Sequence, residues 1–267
     1  MDCWDTGAAA DGSPLVFLQG ILAGPAVWAG VTAILAERRR CITVDWPFGA
    51  HRRPMLRDAD LSPPGLARLM VEVLDGLGVT RAVLVGNDSG GVVSQLVVAA
   101  KPARVAGLVL VACDAFEVFP PGAYRQPFRL ARVPGAIRLL AAALNTPTFA
   151  RSRFGFGAVT RDPAALAQPR LLTDPLVRRD LRKLITGSSS AQTLAAAETF
   201  RHFDRPVLVV WAAEDRLFSP SLGRRLAGAF PDARLAVVPG SRTFVPVDQP
   251  HALGELIAEF LQDGSAP

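Results

Sequence analysis

Arg81-Ala82-Val83-Leu84-Val85-Gly86-Asn87-Asp88-Ser89-Gly90-Gly91 decides how the rest of the chain is read. Ala82 to Val85 is apolar without polar alternation, which is the pattern of a strand buried on both faces. Small residues follow, and then an apolar helical pattern from Gly90 to Ala100. A buried strand that turns sharply into a helix through small residues forms a nucleophile elbow, small-x-nucleophile-x-small. The turn strains its central residue, so the flanks must be small. Gly86 and Gly90 bracket Asp88, whereas centring on Ser89 would put Asn87 and Gly91 at the flanks and fits less well. An aspartate in a tight turn can also be a plain Asx-turn residue, but an elbow aims its central side chain into a pocket. Backbone N–H groups of Ser89 and Ile21 would face it, lowering its pKa and keeping it ionised.

Working outward, the same kind of apolar run recurs at Leu15–Gln19, Cys41–Asp45, Gly107–Ala112, Pro206–Trp211 and Arg234–Pro239. Helical patterns lie between them, at Pro25–Arg38, Ser62–Leu77, Pro220–Phe230 and Gln249–Leu261. Ser62-Pro63 supplies an N-cap followed by a proline at the first helical position. Repeated strand–helix units predict an α/β fold with a doubly wound, mostly parallel sheet. From Phe116 to His202 the rhythm breaks, with helical segments at Gly135–Asn145 and Pro175–Ile185 and six phenylalanines between Phe116 and Phe156. The expected organisation is a core from 1–115 and 203–267, with 116–202 as a helical lid. An insert there lies outside the carboxyl ends of the strands, where open α/β sheets bind ligands.

Composition narrows the classes further. A chain of 267 residues that is 50% hydrophobic and 20% charged is neither disordered, collagenous nor a coiled coil. A mean hydropathy of +0.27 points to an apolar pocket or a buried interface. The net charge of +5 is carried by arginines scattered along the chain, since Lys101 and Lys183 are the only lysines. No basic stripe interleaved with aromatics is present, so no nucleic-acid partner is expected. No apolar run reaches the length of a membrane span, and the N-terminus lacks the features of a secretory signal. A soluble, cytoplasmic chain with no membrane partner is the expectation, and a homodimer is compatible with it. Cys3, Cys41 and Cys113 make no disulfide or metal spacing. Neither GxGxxG after a strand nor a P-loop occurs, so no metal and no organic cofactor is implied.

The chain resembles the α/β-hydrolase superfamily over nearly its whole length. Leu18-Gln19-Gly20-Ile21-Leu22, with Trp28 beyond, resembles the family's oxyanion loop, and Val44-Asp45-Trp46-Pro47 resembles the next strand end. Trp211-Ala212-Ala213-Glu214-Asp215 resembles the strand end that carries the catalytic acid. The aspartate elbow is similar to the branch holding haloalkane dehalogenases, fluoroacetate dehalogenases and epoxide hydrolases. That resemblance implies an aspartate that attacks an electrophilic carbon, and a histidine, oriented by an acid, that activates water to cleave the resulting ester.

The histidine is missing. In Val238-Pro239-Gly240-Ser241-Arg242-Thr243-Phe244 the family usually carries Gly-His-Phe, and Thr243 stands at the histidine's place. Threonine does not titrate near neutral pH and cannot be the base. His202 and His251 are expected on the surface. His51, in the loop leaving the Cys41–Asp45 strand, is the candidate substitute. Asp215 is the expected acid, with Asp114 at the alternative acid position of some dehalogenase-like members; either can instead cap a helix or close a turn. Dehalogenases usually place halide donors where Ser89 and Ile21 stand, and epoxide hydrolases usually present two lid tyrosines where this chain has only Tyr124. The expected site is therefore Asp88, Asp215, Asp114 and His51 as catalytic candidates and Ile21 and Ser89 as the oxyanion hole. Gln19, Leu22, Asn87, Tyr124, Phe116, Thr243 and Phe244 are the expected substrate contacts.

Three functions remain open: an atypical enzyme acting on a hydrophobic small molecule, by hydrolysis or by proton transfer such as isomerisation or cyclisation; a non-catalytic receptor or carrier on the same fold; and a conventional hydrolase of epoxides, halides or esters with His51 as base.

Overall fold

A computed structural model describes residues 1–7, 12–166 and 172–262. Seven strands form one sheet: β1 (Cys3–Asp5), β2 (Leu15–Leu18), β3 (Cys41–Val44), β4 (Ala82–Asn87), β5 (Val105–Val111), β6 (Val207–Ala212) and β7 (Ala233–Val238). Their order is β1-β3-β2-β4-β5-β6-β7, and every pairing is parallel except the antiparallel β1·β3 edge. The helices are α1 (Ala29–Leu35), α2 (Pro63–Gly76), α3 (Ser89–Ala100), α4 (Arg125–Leu130), α5 (Ala136–Leu144), α6 (Pro147–Arg151), α7 (Pro163–Leu166), α8 (Pro175–Gly187), α9 (Ser190–Ala197), α10 (Pro220–Ala227), α11 (Val245–Asp248) and α12 (Pro250–Gln262).

The apolar runs became strands, and all but the β7 edge, where Val237 is exposed, bury both faces. Along β2 and β4, Leu15, Phe17, Val83 and Val85 join the apolar layer that also holds Leu253 and Ile257 of α12. Val16, Leu18 and Leu84 join the opposite layer with α2 and α3. Ser62 caps α2 as its sequence requires, its hydroxyl accepting the Gly65 N–H at 3.3 Å.

One strand was missed and one helix expectation is corrected. The β1 edge was not legible, because Cys3–Asp5 is short and exposed. The Pro25–Arg38 helix is two pieces: a 3-10 turn over Pro25–Trp28 precedes α1, and seats Trp28 against Phe17 at 5.1 Å between ring centres. Between β5 and β6 the described residues hold six short helices, α4 to α9, and no strand.

Candidate active site

The elbow forms because glycine alone fits its crossings. A Cβ on Gly86 would lie 2.6 Å from the Gly90 carbonyl oxygen, and one on Gly90 would strike the Leu18 carbonyl. Between them Asp88 takes φ 52°, ψ −124° at the head of α3, a conformation that costs a non-glycine residue on the order of 1–3 kcal/mol. Its backbone N–H is shared between the Val111 and Ala112 carbonyls at 3.3 and 3.2 Å. Leu22, Ala112 and Phe116 also have positive φ, so strain gathers at the carboxyl ends of β2, β4 and β5.

The oxyanion-like loop presses directly on this carboxylate. The Ile21 N–H donates to Asp88 Oδ2 at 3.1 Å, and a Cβ on Gly20 would come within 2.5 Å of that oxygen. The Ser89 N–H adds a second backbone bond. These bonds pull the pKa down, but burial outweighs them, and the nearby Asp215 charge adds to the rise: Asp88 is pushed up to about 6. The expectation of a lowered pKa is therefore corrected, because Asp88 is only 6% exposed and desolvation penalises its charge more than two N–H groups repay.

Two further carboxyls share the site. Asp114 is 1% exposed, and its pKa is held well above the usual range by burial and by the charges of Asp88 and Asp215. Its Oδ1 has no hydrogen-bond partner. Asp215 is raised mainly by burial. Its Oδ1 accepts from the Leu217 and Phe218 N–H groups at 2.8 and 3.0 Å and from the Thr243 hydroxyl at 3.0 Å; its buried Oδ2 has no partner. Thr243 thus reaches the acid, as a histidine there would, but brings no base. No Lys, Arg or His forms an ion pair with these three carboxyls among the described residues.

His51 is placed elsewhere. Its Nε2 lies 3.2 Å from Asp180 Oδ2 on α8, and its Nδ1 accepts the Gly49 N–H at 3.3 Å. Both ring nitrogens are engaged, so no lone pair is left to activate a water beside Asp88. His202 and His251 are exposed.

The expected substrate contacts divide. Phe244 packs at the Gly20 backbone beside Asp88. Tyr124 faces the same site, its phenol pushed up to about 12 by burial and by Asp88 and Asp215. Gln19 is fully buried with both amide atoms unpartnered. Leu22 packs at the Gly49 turn against Leu181. Asn87 is a tie instead, donating to the Val111 and Thr243 carbonyls at 2.9 and 2.7 Å. Phe116 lies under the Arg225 guanidinium, 4.0 Å from its ring centre.

An apolar slot runs past Ile21 and Ser89, walled by Phe48, Val92, Val93, Phe119, Phe128 and Leu184. Its open volume of about 10 Å³ is that of about one water. Sequence reasoning missed these wall residues, although Phe119 and Phe128 belong to the phenylalanine-rich stretch that marked the insert.

Residues 13–250 match the family model of the alpha/beta hydrolase fold. A 2-hydroxy-6-oxononadienedioate/2-hydroxy-6-oxononatrienedioate hydrolase of Cupriavidus pinatubonensis is 26% identical, over 97% of this chain and 89% of its own. Haloalkane dehalogenase 2 of Mycobacterium bovis is 25% identical, over 93% and 87%. Among solved structures, the haloalkane dehalogenase DbeA of Bradyrhizobium elkani superposes with a TM-score of 0.75 at 19% identity, over 98% and 93% of the two chains. An esterase of Thermogutta terrifontis gives 0.74 at 20%, over 99% and 94%. With its parallel sheet, its strained elbow and a match covering most of its length, this chain belongs to the α/β-hydrolase fold family.

Proposed function

We propose that this chain is an atypical enzyme of the hydrolase fold that acts on a hydrophobic small molecule, with Asp88 as the reacting carboxylate. The observation that carries this reading is Asp88 itself: strained at φ 52°, held by the Ile21 N–H at one oxygen, and raised to about 6. A carboxylate of that pKa is largely ionised at neutral pH yet basic enough to take a proton from a substrate. The apolar slot at Ile21 and Ser89 supports an apolar substrate. Helices α4 to α9 serve as its lid, which must move, since the slot holds about one water.

Proton transfer is the reading the site supports best. Asp88 takes a proton from one substrate atom, and Asp114, held toward its protonated form by burial and the neighbouring carboxylates and with no partner at Oδ1, returns one at another. Neither step needs the missing histidine. The relatives' names keep hydrolysis and dehalogenation in view as a second reading, and the Ile21 N–H on Oδ2 favours it. In that case Oδ1 attacks an sp³ carbon, the new C–O bond forms, and the leaving group departs with the bonding pair. The ester then persists, because Thr243 cannot activate water.

Intact mass after incubation with alkyl halides, epoxides and activated esters separates the two, alongside turnover of apolar isomerisable ketones. Ketone turnover that Asp88→Asn abolishes supports proton transfer. A stable added mass on the parent, absent from Asp88→Asn, supports the nucleophile. Undiminished turnover in Asp88→Asn would overturn both. Ligand binding without chemistry on any probe would instead favour a receptor or carrier.

A further inference from the structure

The charge of this chain is divided unevenly. Residues 116–202 carry 13 Arg and Lys against 5 Asp and Glu, a net +8, while the other 180 residues carry 16 against 19, a net −3. From Val118 to Arg161 there is no acidic residue at all. Such asymmetry within one chain marks a surface for a polyanion or an anionic interface.

The folded insert turns that charge outward. Arg125, Arg129, Arg132, Arg138, Arg151 and Arg153 are all exposed, and none forms an ion pair among the described residues. Large apolar side chains stand among them: Leu130 is 57% exposed, Val133 53%, Leu139 70% and Phe154 69%. The bearing elements pack together, α5 against α6, and both α4 and α5 against α8, where the Arg182 guanidinium also donates to the Arg132 carbonyl at 2.7 Å. On α4 the opposite side faces inward, since Phe128 walls the slot beside Ser89.

We propose that the outer face of this insert docks on an anionic lipid surface. Arginines beside exposed Leu, Val and Phe are the pattern of an interfacial surface, in which apolar side chains enter the acyl boundary and cations pair with headgroups. A nucleic-acid backbone would reward the arginines but not Leu139 or Val133. A protein partner needs a packed, contiguous anchor pocket, whereas Leu130 and Val133 at the end of α4, Leu139 on α5 and Phe154 beyond α6 are spread over three short segments, which suits a fluid surface. That no helix among the described residues is long and apolar enough to cross a membrane concerns a different mode of contact and does not bear on docking. An apolar substrate would also concentrate in the bilayer beneath the insert.

Co-sedimentation of the full chain with vesicles of phosphatidylcholine alone, and with phosphatidylglycerol added, tests this. The expected result is at least about tenfold tighter binding to the anionic vesicles, weakening as salt screens the charges. Arg129→Glu with Arg132→Glu and Arg138→Glu is expected to cost about a hundredfold, at about fivefold per arginine. Leu139→Ser with Phe154→Ser is expected to weaken the salt-resistant part of binding. Thermal unfolding confirms that each variant is folded, and the salt series on the parent chain needs no variant. Equal binding to neutral and anionic vesicles, or a fully folded arginine triple variant that binds as well as the parent, would overturn the proposal. So would displacement by polyglutamate or duplex DNA together with undiminished binding of the Leu139, Phe154 variant, which would assign the face to an acidic macromolecule. Because the readout is binding, its outcome is independent of whether Asp88 reacts.

Discussion

Asp180 and the Asp88, Asp114, Asp215 cluster are built in opposite ways. Asp180 on α8 is fully buried and fully partnered: Oδ2 meets His51 Nε2 at 3.2 Å and the Met55 N–H at 2.7 Å, while Oδ1 accepts from Arg179 Nε and a terminal guanidinium nitrogen at 2.9 and 2.7 Å. Asp88, Asp114 and Asp215 crowd the ends of β4, β5 and β6 with no ion-pair partner among the described residues, and two of their oxygens have no hydrogen-bond partner. The first arrangement neutralises a charge in order to hold α8 against the 49–61 loop. The second leaves carboxyls without a counter-charge, which raises their pKa values and, on the function proposed above, keeps them for chemistry. Burial alone does not separate the two arrangements; partners do.

The largest effect that could break this comparison is on turnover. Asp88→Asn is expected to lower activity at least about a thousandfold, read as kcat/KM on whichever substrate the panel identifies. Asp180→Ala should leave chemistry largely intact but cost about 3–5 kcal/mol of stability, because the His51 ring and the Met55 N–H lose their buried acceptor and Arg179 loses its counter-charge; denaturant unfolding measures it, and a loss below about 1 kcal/mol would mean that the pairing is not what holds α8. Stability with pH sharpens the contrast. The folded Asp88 pKa, about 6, lies above its unfolded value of about 3.9. Its contribution is therefore fully present below about pH 4 and lost as pH rises through about 6, an amount on the order of 3 kcal/mol. Activity from the ionised carboxylate runs the other way and rises through about pH 6. The smallest effect is at Thr243: Thr243→Val removes one hydrogen bond to Asp215 and should cost about 1 kcal/mol. If Asp88 forms an ester, Thr243→His should release it.

Much of the fold was legible because six of the seven strands are apolar runs, and the elbow was legible because Gly86 and Gly90 are dictated by backbone crossings. The elbow also located Asp88, and Thr243, read at the place the family usually gives a histidine, lies 3.0 Å from Asp215. What sequence could not supply was partnership. Nothing in the spacing of His51 and Asp180, 129 residues apart, announces a pair. Nor could the sign of the Asp88 shift be read from its N–H donors, because burial, a tertiary quantity, decides it. The exposure of Leu139 was hidden for the same reason, since an apolar residue in a helical pattern reads as core.

The most direct test is the unfolding free energy of the parent chain and of Asp88→Asn, measured by denaturant at pH 8 and again near pH 4. An uncompensated carboxylate kept for chemistry predicts an Asn variant that is more stable than the parent at pH 8, by up to about 3 kcal/mol, with the advantage gone near pH 4. An Asn variant less stable than the parent at both pH values would show that Asp88 is a satisfied structural residue, and would contradict its role as the reacting group.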